Sequence, residues 1–356
     1  MYFPPYLELV SMSVTPWAAM RIGHGFGDEK PRTNVLSWDG GRVLATQAKR
    51  GSRVDELPVR HLSRLGGEMH MSAIAALKIL SPGIEDKAIV ALVALRVCLP
   101  DWTQGDRPAP PVDIRHTTTL RSMARSLKWP LGSMHAMVAR LIEDGLIARE
   151  RRGLFIAPAA ADRVIPYLEA VHDLTLRLAE DYHAAGGLRP SRRPGPCSLA
   201  TLLAVALDIM LVPFETFGAS LGDWTATKLW NSIAILSVRR IVLDPELSRR
   251  YAVGPPPDSE RRAVPATRLR EIAEVKLATA WRRLRALEEA GRISQRDGGW
   301  LIRTDQFLEK DLNATFRAGV VYYLRRLNEL VAAGLNPANP PYFNGRPPWM
   351  GEEPLK

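Results

Sequence analysis

The chain has few cysteines and no long uninterrupted hydrophobic run. Cys98 and Cys197 are the only cysteines among 356 residues, which excludes a disulfide framework and a cysteine-based zinc site. Both are expected to be small buried hydrophobic residues in a reducing compartment. The most apolar stretch, 199–214, is too short to span a bilayer and contains Asp208. Because the first residues also lack the pattern of a signal peptide, the sequence predicts a cytoplasmic protein without a membrane partner.

Familiar motifs of catalytic and nucleotide-binding sites are also missing. The sequence has no phosphate-binding loop of the Walker type and no HExxH zinc motif, and GHGFG at 23–27 lacks the spacing of a dinucleotide-binding loop. His172 and His183, with Asp173 and Asp181 nearby, could hold a metal or an effector, but polar residues on a helix are the ordinary interpretation. No pair of carboxylates stands out for acid–base chemistry. The sequence therefore predicts a protein that is not an enzyme and has no cofactor or metal.

Lysine is scarce, and acidic residues are outnumbered by basic ones. Only nine of the 48 basic residues are lysine, and the 38 acidic residues leave a formal net charge of +10. Guanidinium groups match phosphate oxygens well, so this balance indicates a polyanionic partner. A GC-rich genome would explain the preference for arginine over lysine equally well, but it would not explain the net charge. With 46% hydrophobic residues, a chain of this length is expected to fold as about two domains.

The main feature that is present is an internal repeat. Residues 123–156 (the first copy) align without a gap with residues 269–302 (the second copy), at a constant offset of 146. Hydrophobic positions match hydrophobic positions, and Gly145 matches Gly291. A repeat of this length indicates two copies of one structural unit.

Each copy predicts a helix, a short turn, a second helix and a two-stranded hairpin. In the first copy Val138 and Leu141 recur at helical spacing, and Gly145 is expected to end that helix in the left-handed conformation. Alternating apolar and polar residues after this glycine predict two short strands. In the second copy Asp297 and Gly298 form a typical hairpin-turn signal.

Helical segments surround the two copies. A buried helix is predicted at 86–99, and long amphipathic helices at 164–183 and 307–333 are expected to pack together like dimer helices. The tail is proline-rich and is expected to be either extended or laid over the surface. The predicted organisation is an N-terminal extension of unclear structure (1–66), a first repeat (67–190) whose helix–turn–helix–hairpin module covers 115–157, a linker (191–197), a second repeat (198–337) whose module covers 261–303, and the tail (338–356).

The helix–turn–helix–hairpin pattern resembles the winged helix-turn-helix of GntR-type and MarR-type bacterial regulators. The segments that carry the resemblance are MARSLKWPLGSMHAMVARLIEDGLIARERRGLFI and LREIAEVKLATAWRRLRALEEAGRISQRDGGWLI, which together form a small part of the chain. One departure is that Lys128 and Glu274 stand where the turn often has a glycine. The resemblance implies a mainly α fold with small β-wings, in which two tandem winged helix-turn-helix repeats are embedded in helical scaffolds with pseudo-two-fold symmetry.

The excess positive charge lies in these two modules. The window 115–157 has eight basic and three acidic residues, and the window 261–303 has eleven basic and five acidic residues. Their net charges of +5 and +6 account for the whole excess, so the rest of the chain is close to neutral. This is the electrostatic pattern expected of a protein that binds duplex DNA.

The resemblance also implies which side chains contact DNA, because the second helix of such a module enters the major groove. Side chains expected at base edges are Ser133 and His135 in the first copy and Lys276, Thr279, Trp281 and Arg282 in the second. Wing side chains expected on phosphates or in the minor groove are Arg149, Arg151, Arg152, Gln295 and Arg296. The expected set is completed by Arg121, Lys128, Arg140, Arg268 and Arg285. Two alternatives stay open: Trp281 packs against the wing, and Arg140 and Arg285 belong to ordinary solvated helix faces.

The expected function is sequence-specific binding of double-stranded DNA as a transcriptional regulator. Two modules in one chain resemble a fused homodimer, so a monomeric pseudo-dimer and a homodimer are both expected forms. RNA polymerase or another regulator is a further candidate partner. The alternatives are a plasmid- or phage-type replication initiator that binds origin repeats and a protein-docking scaffold built on winged helices.

Overall fold

The computed structural model describes residues 57–81, 85–191, 195–217, 224–308 and 310–350. Most of the predicted N-terminal extension, including GHGFG at 23–27, lies outside the described residues. So do residues 192–194 of the predicted linker and residues 351–356 of the tail.

The described chain is mainly helical and has two small antiparallel sheets, which confirms the predicted mainly α class with short β-hairpins. The α-helices of the first half are α1 (Val59–Leu80), α2 (Glu85–Trp102), α3 (Leu120–Leu127), α4 (Leu131–Glu143) and α5 (Ala161–Ala184). The helices of the second half are α6 (Leu199–Phe217), α7 (Trp224–Leu236), α8 (Arg239–Leu243), α9 (Pro245–Arg250), α10 (Ala266–Ala273), α11 (Leu277–Glu289), α12 (Thr304–Leu308) and α13 (Lys310–Ala332). The strands are β1 (Ile147–Glu150), β2 (Gly153–Ile156), β3 (Ser294–Arg296) and β4 (Gly299–Leu301).

The two copies carry the same helices at the same offset. Helices α10 and α11 begin and end 146 residues after α3 and α4. The residue that ends the first helix of each pair is left-handed, with φ of 54° at Lys128 and 53° at Glu274. Gly145 and Gly291, which follow the second helices, have φ of 68° and 69°. The predicted glycine cap of the first copy is therefore confirmed, and the turn without glycine adopts the conformation in which glycine is favoured.

A hairpin follows each helix pair. Strand β1 pairs antiparallel with β2, and β3 pairs antiparallel with β4. At the second turn, Asp297 and Gly298 both have positive φ, 50° and 77°, as the hairpin signal predicted.

A short bridge connects the residue before each helix pair to the hairpin. Thr118 bridges to β2 and Val264 bridges to β4, again 146 residues apart. The glycine that begins each second strand lies directly under this bridge. A Cβ atom at Gly153 would lie 2.7 Å from the carbonyl oxygen of Thr118, and one at Gly299 would lie 2.9 Å from the backbone of Val264. Glycine at these positions therefore lets the bridging backbone approach closely.

Each copy packs on one preceding helix. Helix α2 packs on α3, α4 and β2, and α7 packs on α10, α11 and β4. In the second copy this contact forms a core in which Leu269, Leu284 and Trp300 are fully buried. The buried helix predicted at 86–99 is therefore present and extends over 85–102. The segments between these helices and the copies differ in length, so α2 and α7 do not keep the offset of 146.

Helix α1 lies at the centre of the molecule. It begins at Val59, so the last residues of the predicted 1–66 extension belong to this helix. Helices α5 and α13 both pack on α1 and on α6, and a Cβ atom at Gly66 of α1 would lie 2.5 Å from the ring of Tyr323 and 3.4 Å from the hydroxyl of Tyr182. The predicted packing of the two long exit helices together is not their main arrangement, because both pack on α1 and α6 instead. From Pro58 onward the chain forms one compact unit, in which the two predicted repeats share their helices as a common scaffold.

The proline-rich tail lies on α5, which is the second of its two expected arrangements. The backbone N–H groups of Phe343 and Asn344 donate to the two carboxylate oxygens of Asp173, each at 2.9 Å. Further along the tail, Arg346 binds Asp181 at 2.7 Å. The end of the second repeat is thereby fastened to the exit helix of the first.

Candidate nucleic-acid interface

Helix α4 of the first copy buries one face and exposes the face predicted to meet DNA. Met134 and Val138 are fully buried against α2 and the hairpin. Pro130 occupies the N-cap position, and the side chains of Ser133 and His135 in the following turn are exposed. The helix therefore presents its N-terminal turn to solvent, as the sequence predicts for a recognition helix.

The first copy also exposes many basic side chains. Seven exposed basic side chains in this copy and directly before it form no ion pair within the described residues: Arg121, Arg125, Lys128, Arg140, Arg149, Arg151 and Arg152. They lie on α3, on the left-handed turn, on α4 and on the hairpin. One acidic group of this copy is itself neutralised, because Asp144 pairs with Lys87 of α2 at 2.6 Å. The positive charge of the first copy is thus available to an external anion.

Helix α11 of the second copy has the same division between faces. Ala280 and Leu284 are fully buried, while Lys276 and Arg282 are exposed. Thr279, which is also in the predicted reading set, is half-buried. Within the described residues Lys276 and Arg282 form no ion pair, so both cations are available.

Trp281 packs against the hairpin. Its ring centroid lies 5.8 Å from that of Trp300 in β4, in an edge-to-face arrangement. The guanidinium of Arg285 lies 5.8 Å from the centroid of Trp281 and 5.7 Å from that of Trp300, and it also bonds Glu288 at 2.9 Å. These contacts favour the alternative in which Trp281 packs against the wing. Arg285 is exposed and paired with Glu288 on the same helix, which agrees with the alternative of a solvated helix face.

Other predicted residues of the second copy are engaged with neighbouring acids. Arg268 is half-buried and bonds Glu271 at 3.3 Å, and Arg296 pairs with Asp297 at 3.2 Å. Gln295 is exposed on β3. The arginine–glutamate pairs have i,i+3 spacing on α10 and α11, which is the spacing of facing helical neighbours.

The two copies therefore differ in how their charge is used, although their net charges are nearly equal. Among the described residues, the window 115–157 offers seven exposed cations without an ion pair, whereas the window 261–303 offers four: Arg262, Arg270, Lys276 and Arg282. Sequence reasoning did not assign Arg125, Arg262 or Arg270 to the interface. Their basic character and the helical period of α3 and α10 were the available signals, but exposure became evident only from the packing.

The histidine–aspartate group considered as a metal or effector site is used in tail packing. His172 binds Asp173 at 2.8 Å and stacks on Phe343 with centroids 4.0 Å apart. His183 bonds the carbonyl oxygen of Leu188 at 3.0 Å. Within the described ranges, no three histidine, cysteine, aspartate or glutamate side chains form a group that could hold a metal ion.

Three further observations concern helix hydrophobicity, the cysteines and comparisons with known proteins. No helix in the described part of the chain combines the length and hydrophobicity needed to cross a membrane. Cys98 is buried as predicted, but Cys197 is only half-buried. Comparisons with protein-family models, curated proteins and solved structures found no match to this chain. Geometry and charge are therefore the grounds for assigning a function.

Proposed function

We propose that this protein binds double-stranded DNA sequence-specifically and acts as a transcriptional regulator through two winged helix-turn-helix modules in one chain. One observation carries the proposal. The two copies repeat their helix bounds, left-handed turns and hairpins at a single offset, and both present basic side chains on the face away from the core. A shared architecture with the same exposed charge favours a shared polyanionic partner.

The proposed docking places α4 and α11 in successive major grooves. An exposed helical N-terminal turn can reach base edges there, while the hairpin follows the phosphates or enters the minor groove. Two copies in one chain would meet two half-sites that need not be identical, with an approximate two-fold axis between them. The protein would act in the cytoplasm as a monomeric pseudo-dimer or a homodimer, and RNA polymerase or another regulator is a proposed protein partner.

The two copies would contribute differently to DNA binding. In the first copy Pro130 and Gly132 offer no side-chain hydrogen bonds at the start of α4, whereas its cations are abundant and unpaired. We infer that this copy mainly binds the backbone and reads DNA shape. In the second copy Lys276 and Arg282 stand free at the start of α11, so this copy would read bases.

The salt dependence of binding tests duplex binding directly. A cognate duplex is first selected from a random-sequence pool, and its affinity is then measured by fluorescence anisotropy at several salt concentrations. With about 6–10 phosphate contacts, log affinity should fall with log salt at a slope of about −0.9 per contact. A slope near zero for the intact chain would contradict the proposal.

A charge-matched pair of triple variants locates the contacts. Replacing Arg149, Arg151 and Arg152 of the first hairpin by glutamine should reduce the slope by about 2.7, because each lost phosphate contact removes about 0.9. The control replaces three exposed arginines outside both copies by glutamine: Arg189, Arg240 and Arg249. Since both variants lose the same charge, equal slopes would show that net charge, and not the hairpin, determines binding.

The same measurements separate the alternatives. Selected sites arranged as direct repeats near a replication origin would indicate an initiator, whereas a single imperfect site near a promoter would indicate a regulator. Failure to retain any duplex at low salt would favour a protein-docking scaffold.

A further inference from the structure

A cavity lies among α1, α7, α8 and α13, and none of the residues assigned to DNA contact lines it. Its volume is about 130 Å³. Much of the wall is apolar, with contributions from Trp230, Ile235, Val238, Phe307 and Val320. A dry apolar cavity of about 150 Å³ is known to accommodate benzene, so this space suits an apolar group of about six carbons.

Three arginines line this apolar space. Arg60, Arg64 and Arg261 are all buried, with exposed fractions of 8%, 9% and 7%. Their charges repel one another: together with burial, which has the largest effect, this repulsion lowers the pKa of Arg64 to about 10. Burial likewise lowers the pKa of Arg261 to about 10, although nearby Asp258 opposes this shift.

The acceptors observed for these guanidinium groups are largely neutral carbonyls. Arg60 donates to the carbonyl oxygen of Phe307 at 3.1 Å, and Arg261 donates to that of Ile302 at 2.6 Å. The Asp258 carboxylate accepts hydrogen bonds from the backbone N–H and the hydroxyl of Thr304. The backbone carbonyls that accept from Arg64 and Arg261 carry no net charge, so these hydrogen bonds do not neutralise the two guanidinium groups.

One donor is left over. Nη2 of Arg64 donates to the carbonyl oxygen of Tyr251, but Nη1 is buried and has no hydrogen-bond partner among the described residues. A buried charged donor without a partner is costly, and an anion bound by Arg64, which lines the cavity, would offset the charge of that guanidinium. The guanidinium of Arg64 and the apolar wall together suit a ligand that has an anionic group at one end and a hydrocarbon part at the other.

We propose that this cavity binds a small apolar carboxylic acid, with its carboxylate on Arg64 and its hydrocarbon part against Trp230 and Ile235. A carboxylate suits the site because its two oxygens match the guanidinium fork and its single negative charge offsets part of the clustered positive charge. An apolar part of about five carbons, as in hexanoate, fits the rest of a cavity of about 130 Å³. The site is distinct from the proposed DNA-binding face, so its existence does not depend on DNA binding.

Hexanoate is the probe, and its neutral and cationic counterparts are 1-hexanol and hexylamine. Calorimetric titration of the full chain should give saturable one-to-one binding of hexanoate. Hexanol should bind at least tenfold more weakly because it lacks the charge, and hexylamine should not bind. Equal affinities for hexanoate and hexanol, or no binding of hexanoate, would overturn the proposal.

Two variants place the ligand. Gly319 lines the cavity, and a Cβ atom there would meet no heavy atom within 4 Å, so Gly319→Leu should fill the space without touching the arginines. It should abolish hexanoate binding and leave the melting temperature at or above that of the parent. Arg64→Met should lower the affinity for hexanoate at least tenfold while leaving that for hexanol within twofold.

The matched control is Arg240→Met, which removes an exposed arginine from neighbouring α8 outside the cavity lining. Its hexanoate affinity should equal that of the parent. Undiminished binding by Gly319→Leu would show that hexanoate binds elsewhere. An equal loss in Arg64→Met and Arg240→Met would show that general charge attraction, and not a built site, holds it. Because the parent is tested without DNA, a failure here leaves the proposed function untouched.

Discussion

Single residues determine how each hairpin meets its helix pair. Gly153 has φ of 143°, and a Cβ atom at this position would lie 2.7 Å from the carbonyl oxygen of Thr118. In the same copy, Gly132 is helical and has open space around it. The same residue type therefore has opposite significance at two positions only 21 residues apart.

Alanine substitutions at these two glycines should have effects of opposite sign. Gly153→Ala should lower the free energy of unfolding by about 1–3 kcal/mol, because the new Cβ atom would collide with the Thr118 carbonyl at a strained φ. Gly132→Ala should raise it by up to about 1 kcal/mol, because alanine favours a helix more than glycine does. Urea denaturation of the two variants beside the parent measures both values. A neutral Gly153→Ala would mean that the bridge can move aside.

Base reading and phosphate anchoring also separate at single residues. Arg282→Ala should weaken the cognate duplex by about ten- to a hundredfold and relax the preference at one base pair, since a bidentate contact to guanine contributes about 1–3 kcal/mol. Arg151→Ala, on the exposed first hairpin, should weaken cognate and scrambled duplexes by a similar small factor. Affinities of both variants for both duplexes at one salt concentration decide between the roles. If Arg282→Ala lowers both affinities equally, Arg282 is a phosphate anchor.

Contacts between tail residues 340–350 and α5 hold the end of the described chain on the first repeat; these contacts are called the tail–α5 interface. The ring of Trp349 is buried under the guanidinium of Arg177, 4.3 Å from its centroid, and its indole N–H donates to Asp181 at 2.9 Å. Burial alone would raise the pKa of Asp173. Hydrogen bonds from His172 and from two tail N–H groups more than offset this, and the pKa is lowered.

The stability of the tail–α5 interface should therefore decrease in acid. Because its pKa is lowered in the folded state, the Asp173 carboxylate contributes stability above its ordinary pKa of about 4 and loses that contribution as the pH falls through the folded value. Asp173→Asn should cost about 2 kcal/mol at pH 7, since two charge-assisted hydrogen bonds are weakened. Hydrogen exchange should show faster opening of 340–350 in this variant at pH 7. The difference from the parent should shrink as the pH falls below about 4.

A matched aspartate provides the control for that experiment. Asp113 is exposed and pairs with exposed Arg115 at 3.1 Å, so Asp113→Asn should change the stability by less than about 1 kcal/mol. It should leave exchange of the tail unchanged. If both variants accelerated that exchange equally, the Asp173 contact would not be what holds the tail.

The whole molecule is organised around α1, whose histidines are kept neutral by their surroundings. Burial lowers the pKa of His70 to about 4, and Asn231 donates to its ring at 3.2 Å. Burial, aided by the charge of Arg64, also lowers the pKa of His61 to about 4, and its ring bonds the hydroxyl of Ser248 at 2.6 Å. Both contacts link α1 to helices of the second half of the chain.

Global stability should consequently fall between about pH 6.5 and pH 4. Each lowered pKa means that the unfolded state gains protons first, so the contribution is complete above the unfolded value and is lost toward the folded value. Each histidine contributes up to about 1.4 kcal/mol per pH unit of that window. Urea denaturation at pH 7 and pH 5 measures the loss, and His61→Gln with His70→Gln should flatten it. An unchanged pH dependence in the double variant would assign the loss to other groups.

Features that depend on neighbours a few residues away could be predicted from the sequence. The repeat offset, the helix pairs, the glycine cap at Gly145 and the turn at Asp297 all follow from short-range periodicity, capping and backbone freedom. The total charge in the two windows was also readable. Helix α2 was predicted within a few residues of its bounds because its apolar character extends around the whole helix.

Which of these parts contact one another depends on long-range packing and became evident from the structure. It placed α1 against both α5 and α13, laid the tail on Asp173, and joined Trp281 to Trp300. The structure also shows which arginines pair with neighbouring acids and which form no ion pair. The nearly equal net charges of the two copies do not reveal this difference. Such contacts join residues far apart in the chain and depend on how several faces fill space together. A periodic pattern specifies that a face is buried, but not which partner buries it.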